Sequence, residues 1–176
     1  IQTIRGFSED DLGDRIRIVW SGAEYRGRGR ETNWKGQAHF EGASIRRMEK
    51  INAWNHERIP EREGRDVVVF DAITTGNFGG FDVWLDDTTD ARCHVETNLG
   101  SFDVPLSEIG MQDTVMDAGG LDRKIRAFRL PERNLKRTIR AEVKVPLSTG
   151  ADNPIWVCVT TEDGFQAWSS PIYAFR

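Results

Sequence analysis

Hydrophobic and polar positions alternate in twos along most of this chain, and helix-type spacing is scarce. Over Arg15–Ser21, Ile16, Ile18 and Trp20 fall on one side, with Arg15, Arg17 and Val19 on the other, which predicts a half-buried strand. Thr32–Gly42 continues the pattern with Trp34, Ala38 and Phe40. Ala43–Trp54 carries Ile45, Met48, Ile51 and Trp54, a spacing that also suits a helix; the Gly42 turn and the β-like surroundings favour a strand. His56–Arg65 is polar, with Pro60 and Gly64, and reads as a loop. Asp66–Thr75 is the strongest strand of the middle region, broken at Gly76-Asn77-Phe78-Gly79-Gly80 and resumed over Phe81–Asp86, so the pair is expected to form a hairpin. Ala91–Thr97 and Ser101–Leu106 predict another, turning at Asn98-Leu99-Gly100. Ser107–Gly120 reads as loop with one helical turn, and Asp122–Leu130 and Asn134–Leu147 add two further strands.

The last stretch, Pro154–Arg176, is apolar on both faces. Ile155, Val157 and Val159 alternate with Trp156, Cys158 and Thr160, as expected of a strand inside a sandwich. Asp163-Gly164 supplies a turn, and Ala167–Phe175 runs back after it, re-aimed by a bend at Trp168-Ser169-Ser170-Pro171. The total of about ten short, regularly spaced strands predicts an all-β fold, an antiparallel β-sandwich of jelly-roll or immunoglobulin-like type. Residues 1–14 read as a linker or N-terminal extension, and the acidic opening Ser8-Glu9-Asp10-Asp11 suits either a short helix capped by Ser8 or the remains of a linker from a preceding domain. Residues 15–176 are expected to form a single sandwich domain.

Composition refines this picture. Hydrophobic residues at 38%, including six Trp and nine Phe, can fill a core without staples, and 30% charged residues keep its surface solvated. A net charge of -4 argues against general nucleic-acid binding, which needs a positive field. No apolar run is long enough to cross a bilayer as a helix, so no membrane partner is expected; the compartment stays open, with the cytoplasm favoured. Cys93 and Cys158 both sit in predicted strands and are expected to be buried free thiols. The chain opens at Ile1 without an initiator Met, which suggests a C-terminal piece of something longer.

Candidate chemistry is thin. His39, His56 and His94 lie in three separate segments with no metal-ligand spacing. His94 and Glu96 share one strand face and read as an exposed pair rather than ligands. Asp86-Asp87 with Asp90 is the best carboxylate cluster, at a strand end where Asp commonly forms turns. The basic run Tyr25-Arg26-Gly27-Arg28-Gly29-Arg30 suits a solvated turn better than a phosphate contact, and the glycines at 76–80 lack the Lys-Ser/Thr ending of a phosphate cradle. Ser169-Ser170 is not set in a nucleophile elbow. The aromatics are the remaining lead. Trp34, Trp54, Trp84, Trp168 and Tyr25, with Tyr173, are weighed as a sugar-stacking platform against the simpler role of core fillers. No catalytic residue, metal ligand or cofactor is assigned.

One resemblance adds to these readings. Asn153-Pro154-Ile155-Trp156-Val157-Cys158-Val159-Thr160, then Glu162-Asp163-Gly164 and Ala167-Trp168-Ser169-Ser170-Pro171-Ile172-Tyr173, resembles the C-terminal ending of large bacterial proteins with a polymerase-and-histidinol-phosphatase-like (PHP) metallohydrolase-type domain. Ile73–Leu85, Trp20 and Gly27-Arg28-Gly29-Arg30 also look like that region. The resemblance implies a β-sandwich tail behind a catalytic domain whose His and Asp metal ligands have no match here. The expected function is therefore a non-catalytic accessory domain that packs on, or assists substrate access to, a preceding metal-dependent hydrolase-like domain. The alternative is a carbohydrate-binding module that uses exposed Trp and Tyr.

Overall fold

A computed structural model of the chain describes residues 3–25, 27, 30–52, 59–86 and 88–175. Two compact units are present: Phe7–Leu135, and Ile1–Gly6 together with Lys136–Arg176. The first is an antiparallel β-sandwich of two five-stranded sheets. One sheet runs in the order β3 (Ser44–Ile51), β6 (Phe78–Asp86), β1 (Leu12–Ala23), β10 (Leu121–Pro131), β9 (Thr114–Asp117). The other runs β4 (Glu61–Glu63), β5 (Val67–Thr74), β2 (Thr32–Glu41), β7 (Arg92–Thr97), β8 (Gly100–Pro105).

The period-2 pattern builds the core directly. Ile16, Ile18, Trp20, Phe81, Val83, Leu85, Ile125 and Ala127 point inward from the first sheet, and Trp34, Ala38, Phe40, Val68, Phe70, Cys93 and Val95 from the second. Trp20 stacks on Phe70 across the interface, with centroids 4.6 Å apart and ring planes 17° from parallel, and Phe81 leans on both rings.

Side chains tie down both ends of β1, to the opposite sheet at one end and, through Arg129 of β10, to the 3-10 turn Leu106–Glu108 and the residue after it at the other. At one end Trp34 Nε1 donates to Thr74 Oγ1 at 2.8 Å, and Thr74 Oγ1 donates to the carbonyl of Gly22 at 2.7 Å. At the other end the Arg129 guanidinium donates to the carbonyls of Ile109, Gly13 and Leu106 at 2.9, 3.0 and 2.5 Å. Each stitch satisfies buried polar groups that would otherwise cost stability.

Beta-strand β1 is buried on both faces from Arg15 to Ala23, not on one as its alternation suggests. The outer face holds charge instead of solvent. Asp82, 1% exposed, lies directly opposite Arg17 in the register of β1 and β6. It accepts from Arg17 Nε at 2.7 Å and Nη2 at 2.8 Å, and also from Arg15. One row along, Trp84 stands between Arg15 and Arg47, whose guanidinium carbons lie 4.5 and 4.3 Å from its ring centroid. Arg47 also pairs with Glu49. Val19, Phe128 and Leu130, with Phe7 and Phe78 against them, make a smaller apolar cluster on this outer side.

Several expected elements come out differently. Residues 9–11 form a single 3-10 turn, with Asp11 accepting from the backbone and hydroxyl of Ser8, and β1 already begins at Leu12. The segments Val67–Thr74 and Phe78–Asp86 are not a hairpin, because they belong to opposite sheets. The turn between them is held on β1: Gly76 N donates to Gly22 O, and Gly22 N to Asn77 O, both at 3.2 Å. Strands β4 and β9 lie within stretches that read as loop, too short to show a pattern. Residues 134–147 alternate like a strand, yet no strand is assigned there.

Within the stretch 15–176, residues 136–176 fall in the second unit, and their strands belong to neither five-stranded sheet. Asp82→Ala is expected to cost roughly 3–5 kcal/mol in urea unfolding, because two buried guanidinium groups lose the carboxylate they share. A loss below about 1 kcal/mol, the scale of an exposed ion pair, would show that the cluster is not a buried one.

Candidate functional site

The most unusual surface is in the C-terminal unit. Asn153 organises its entry: its side chain accepts from Ser148 N at 2.7 Å and donates to the carbonyls of Ser148, Ala151 and Ala174. The chain then runs out and back as a ribbon of four short strands. Strand β11 (Asn153–Ile155) pairs with β14 (Ile172–Ala174), and β12 (Cys158–Thr160) with β13 (Gln166–Trp168).

Asp163-Gly164 forms the turn as expected, with Gly164 at φ +97°. Thr161 N donates to Phe165 O at 2.8 Å, and Thr161 Oγ1 to Asp163 Oδ1 at 2.5 Å. Ser169 and Val157 bridge the two halves by reciprocal bonds near 3.0 Å, Ser169 N to Val157 O and Val157 N to Ser169 Oγ. Pro171, which has no N–H, follows the interruption in the ladder. The Ser169-Ser170 pair is therefore structural in its contacts.

The ribbon is not buried, which corrects the expectation of a core hairpin. Trp156, Val157, Val159, Phe165, Trp168, Ile172, Tyr173 and Phe175 are all at least half exposed. The preceding stretch adds exposed Ile139, Val143 and Val145. Alternation alone could not reveal this, since a strand apolar on both faces reads the same whether its cover is in the chain or elsewhere.

Two of the five aromatic candidates are covered by their own unit. Trp34 is fully buried in the sandwich core, and Trp84 is buried between two arginines with Nε1 donating to Glu132 O at 3.2 Å. Neither ring face is open to a sugar. Trp54 lies outside the described residues. Tyr25 is exposed in the sandwich unit and Trp168 in the C-terminal unit.

A second feature lies on the outer face of the sheet containing β2. There Lys35, Gln37, Glu61 and Glu96 border a shallow concavity of about 680 Å³ with Val69 and Ile59 along it. Sequence reading missed it, because its side chains come from four strands and a loop, none carrying a motif. His39 and His94 are brought face to face on this same sheet by the pairing of β2 with β7. His56 and Asp87 lie outside the described residues. Among the described residues no group of three His, Cys, Asp or Glu side chains converges as a metal centre.

The two cysteines differ. Cys93 is buried, and burial, with a smaller contribution from Asp103, pushes its thiol up to about 12. Cys158 is exposed, against the expectation that both are core thiols.

No family model matches the chain, and neither the curated proteins nor the solved structures searched contain a match.

Under native conditions a thiol-specific reagent is expected to modify Cys158 alone, with Cys93 reacting only after unfolding. Mass-spectrometric mapping reads this directly, and native labelling of Cys93 would show that its pocket opens.

Proposed function

We propose that the chain is a non-catalytic accessory β-domain whose C-terminal unit docks on a neighbouring folded domain. The observation that carries this reading is the uncovered ribbon at 153–175. A two-stranded ribbon by itself is marginally stable in water. This one presents eight large apolar side chains to solvent. Fully burying such a side chain is worth about 1.5–3 kcal/mol, and since half or more of each remains to be covered, the eight together are of the size that offsets the cost of ordering and association.

The sandwich treats its own edges differently. Edge strand β3 carries Arg46, Arg47, Glu49 and Lys50 with an irregularity between Ile45 and Arg47. Strand β8 ends at Pro105, and β4 and β9 are only three and four residues long. Charged, bulged or short edges discourage further strand pairing. The docking chemistry is thus concentrated in residues 136–176. The resemblance of the ending to PHP-type proteins supplies the partner class: a metal-dependent hydrolase-like domain, on which the ribbon packs or whose substrate approach it completes.

A second reading, carbohydrate binding, is favoured by the concavity on the β2 sheet. Its hydrogen-bonding side chains border an apolar strip, as the edges and face of a sugar ring require. It no longer draws on Trp34 or Trp84.

Hydrogen exchange separates these readings. In the isolated chain, peptides from 153–175 are expected to exchange fast; in the full natural gene product they are expected to be about tenfold or more protected. Equal exchange in both would remove the docking reading. Calorimetric titration of the isolated chain with a glycan panel tests the other, and heat lost in Gln37→Ala would establish it.

A further inference from the structure

We propose that His39 and His94 form a two-imidazole site for a divalent transition-metal ion on the outer face of the β2 sheet. The register of β2 and β7 places the two residues directly opposite each other. Opposed residues on one sheet face hold their Cβ atoms about 4.5–5.5 Å apart. That spacing suits two imidazoles sharing one ion at about 2.0–2.1 Å from each nitrogen. Both side chains are open to solvent, 39% and 42% exposed, so an ion and its waters can reach them.

Each ring already has one nitrogen turned to a carboxylate. His39 Nε2 is 3.3 Å from Asp66 Oδ2, and His94 Nδ1 is 4.0 Å from Asp103 Oδ2. Asp103 is held in turn by Arg92, through Nε at 2.9 Å and Nη2 at 2.8 Å. Metal-bound histidines commonly donate the second ring N–H to a carboxylate, which sets the tautomer and raises the basicity of the ligating nitrogen. The same relation leaves His39 Nδ1 and His94 Nε2 as the nitrogens to meet an ion.

Because no third ligand converges among the described residues, water completes the coordination. Two imidazoles select zinc, nickel or copper over calcium or magnesium, which require oxygen ligands. Asp66 and Asp103 act as positioning residues.

The test uses the whole chain carrying Cys158→Ser, which removes the one exposed thiol. Zinc titration by calorimetry is expected to give one saturable site that is absent in His39→Ala and in His94→Ala. The site is expected to persist in His56→Ala and to weaken about 10- to 100-fold in Asp103→Asn. In the unmutated histidine background, substoichiometric nickel is expected to broaden the His39 and His94 ring resonances selectively. That readout does not depend on any variant folding. Absence of saturable zinc binding, or binding unchanged by either single-histidine substitution, would overturn the proposal.

Discussion

The carboxylate of Asp82, shared between Arg15 and Arg17, sets the arrangement on which the rest of the sandwich depends. It sits on the face of the first sheet that points away from the core, where β1 would otherwise present polar side chains to water. Its charge is buried, so its geometry must be right: a one-residue slip between β1 and β6 would move Asp82 to the opposite face. The neighbouring row, Arg47, Trp84 and Arg15, comes from three adjacent strands in register. Together the two rows lock β3, β6 and β1 before the hydrophobic core is considered.

From that locked sheet the sandwich closes by two kinds of contact. Aromatic stacking of Trp20 on Phe70 joins the inner faces, and polar stitches close both ends of β1. Gly22 serves one of those stitches and sits at φ +96°, where a Cβ would meet Asp122 O at 2.4 Å. A side chain there would strain the backbone and clash with the adjoining strand. The same residue holds the crossover from β5 to β6, so a stretch with strong hairpin signals becomes a passage between sheets.

The two units divide the physical work. In the sandwich unit the apolar side chains of the facing strands pack against one another, and its edges are charged, short or irregular. In the C-terminal unit the ribbon is hydrogen-bonded but its apolar side chains are left exposed. A sheet that satisfies its backbone without covering its side chains is suited to a partner surface, and this is why the accessory reading rests on that unit. The histidine pair belongs to the other unit and stands independently of it.

Alternation at Arg15–Ser21, Thr32–Glu41, Val67–Thr74 and Arg92–Pro105 was enough to identify strands, the β7–β8 hairpin and an antiparallel sandwich, because period-2 burial is written locally. The Asp163-Gly164 turn was legible for the same reason. Which strands share a sheet was not, since Thr74 and Phe78 are separated by a turn whose direction is decided by Gly22, far away in sequence. Nor was the fate of the aromatics: Trp34 and Trp168 sit in similar alternating contexts, yet one is buried in the core and the other exposed. His39 and His94 show no motif and became neighbours only through the register of β2 with β7. The chain alone determined its local periodicities and turns. Only tertiary structure decided covering and cross-strand company, because both depend on which distant segment supplies the other side.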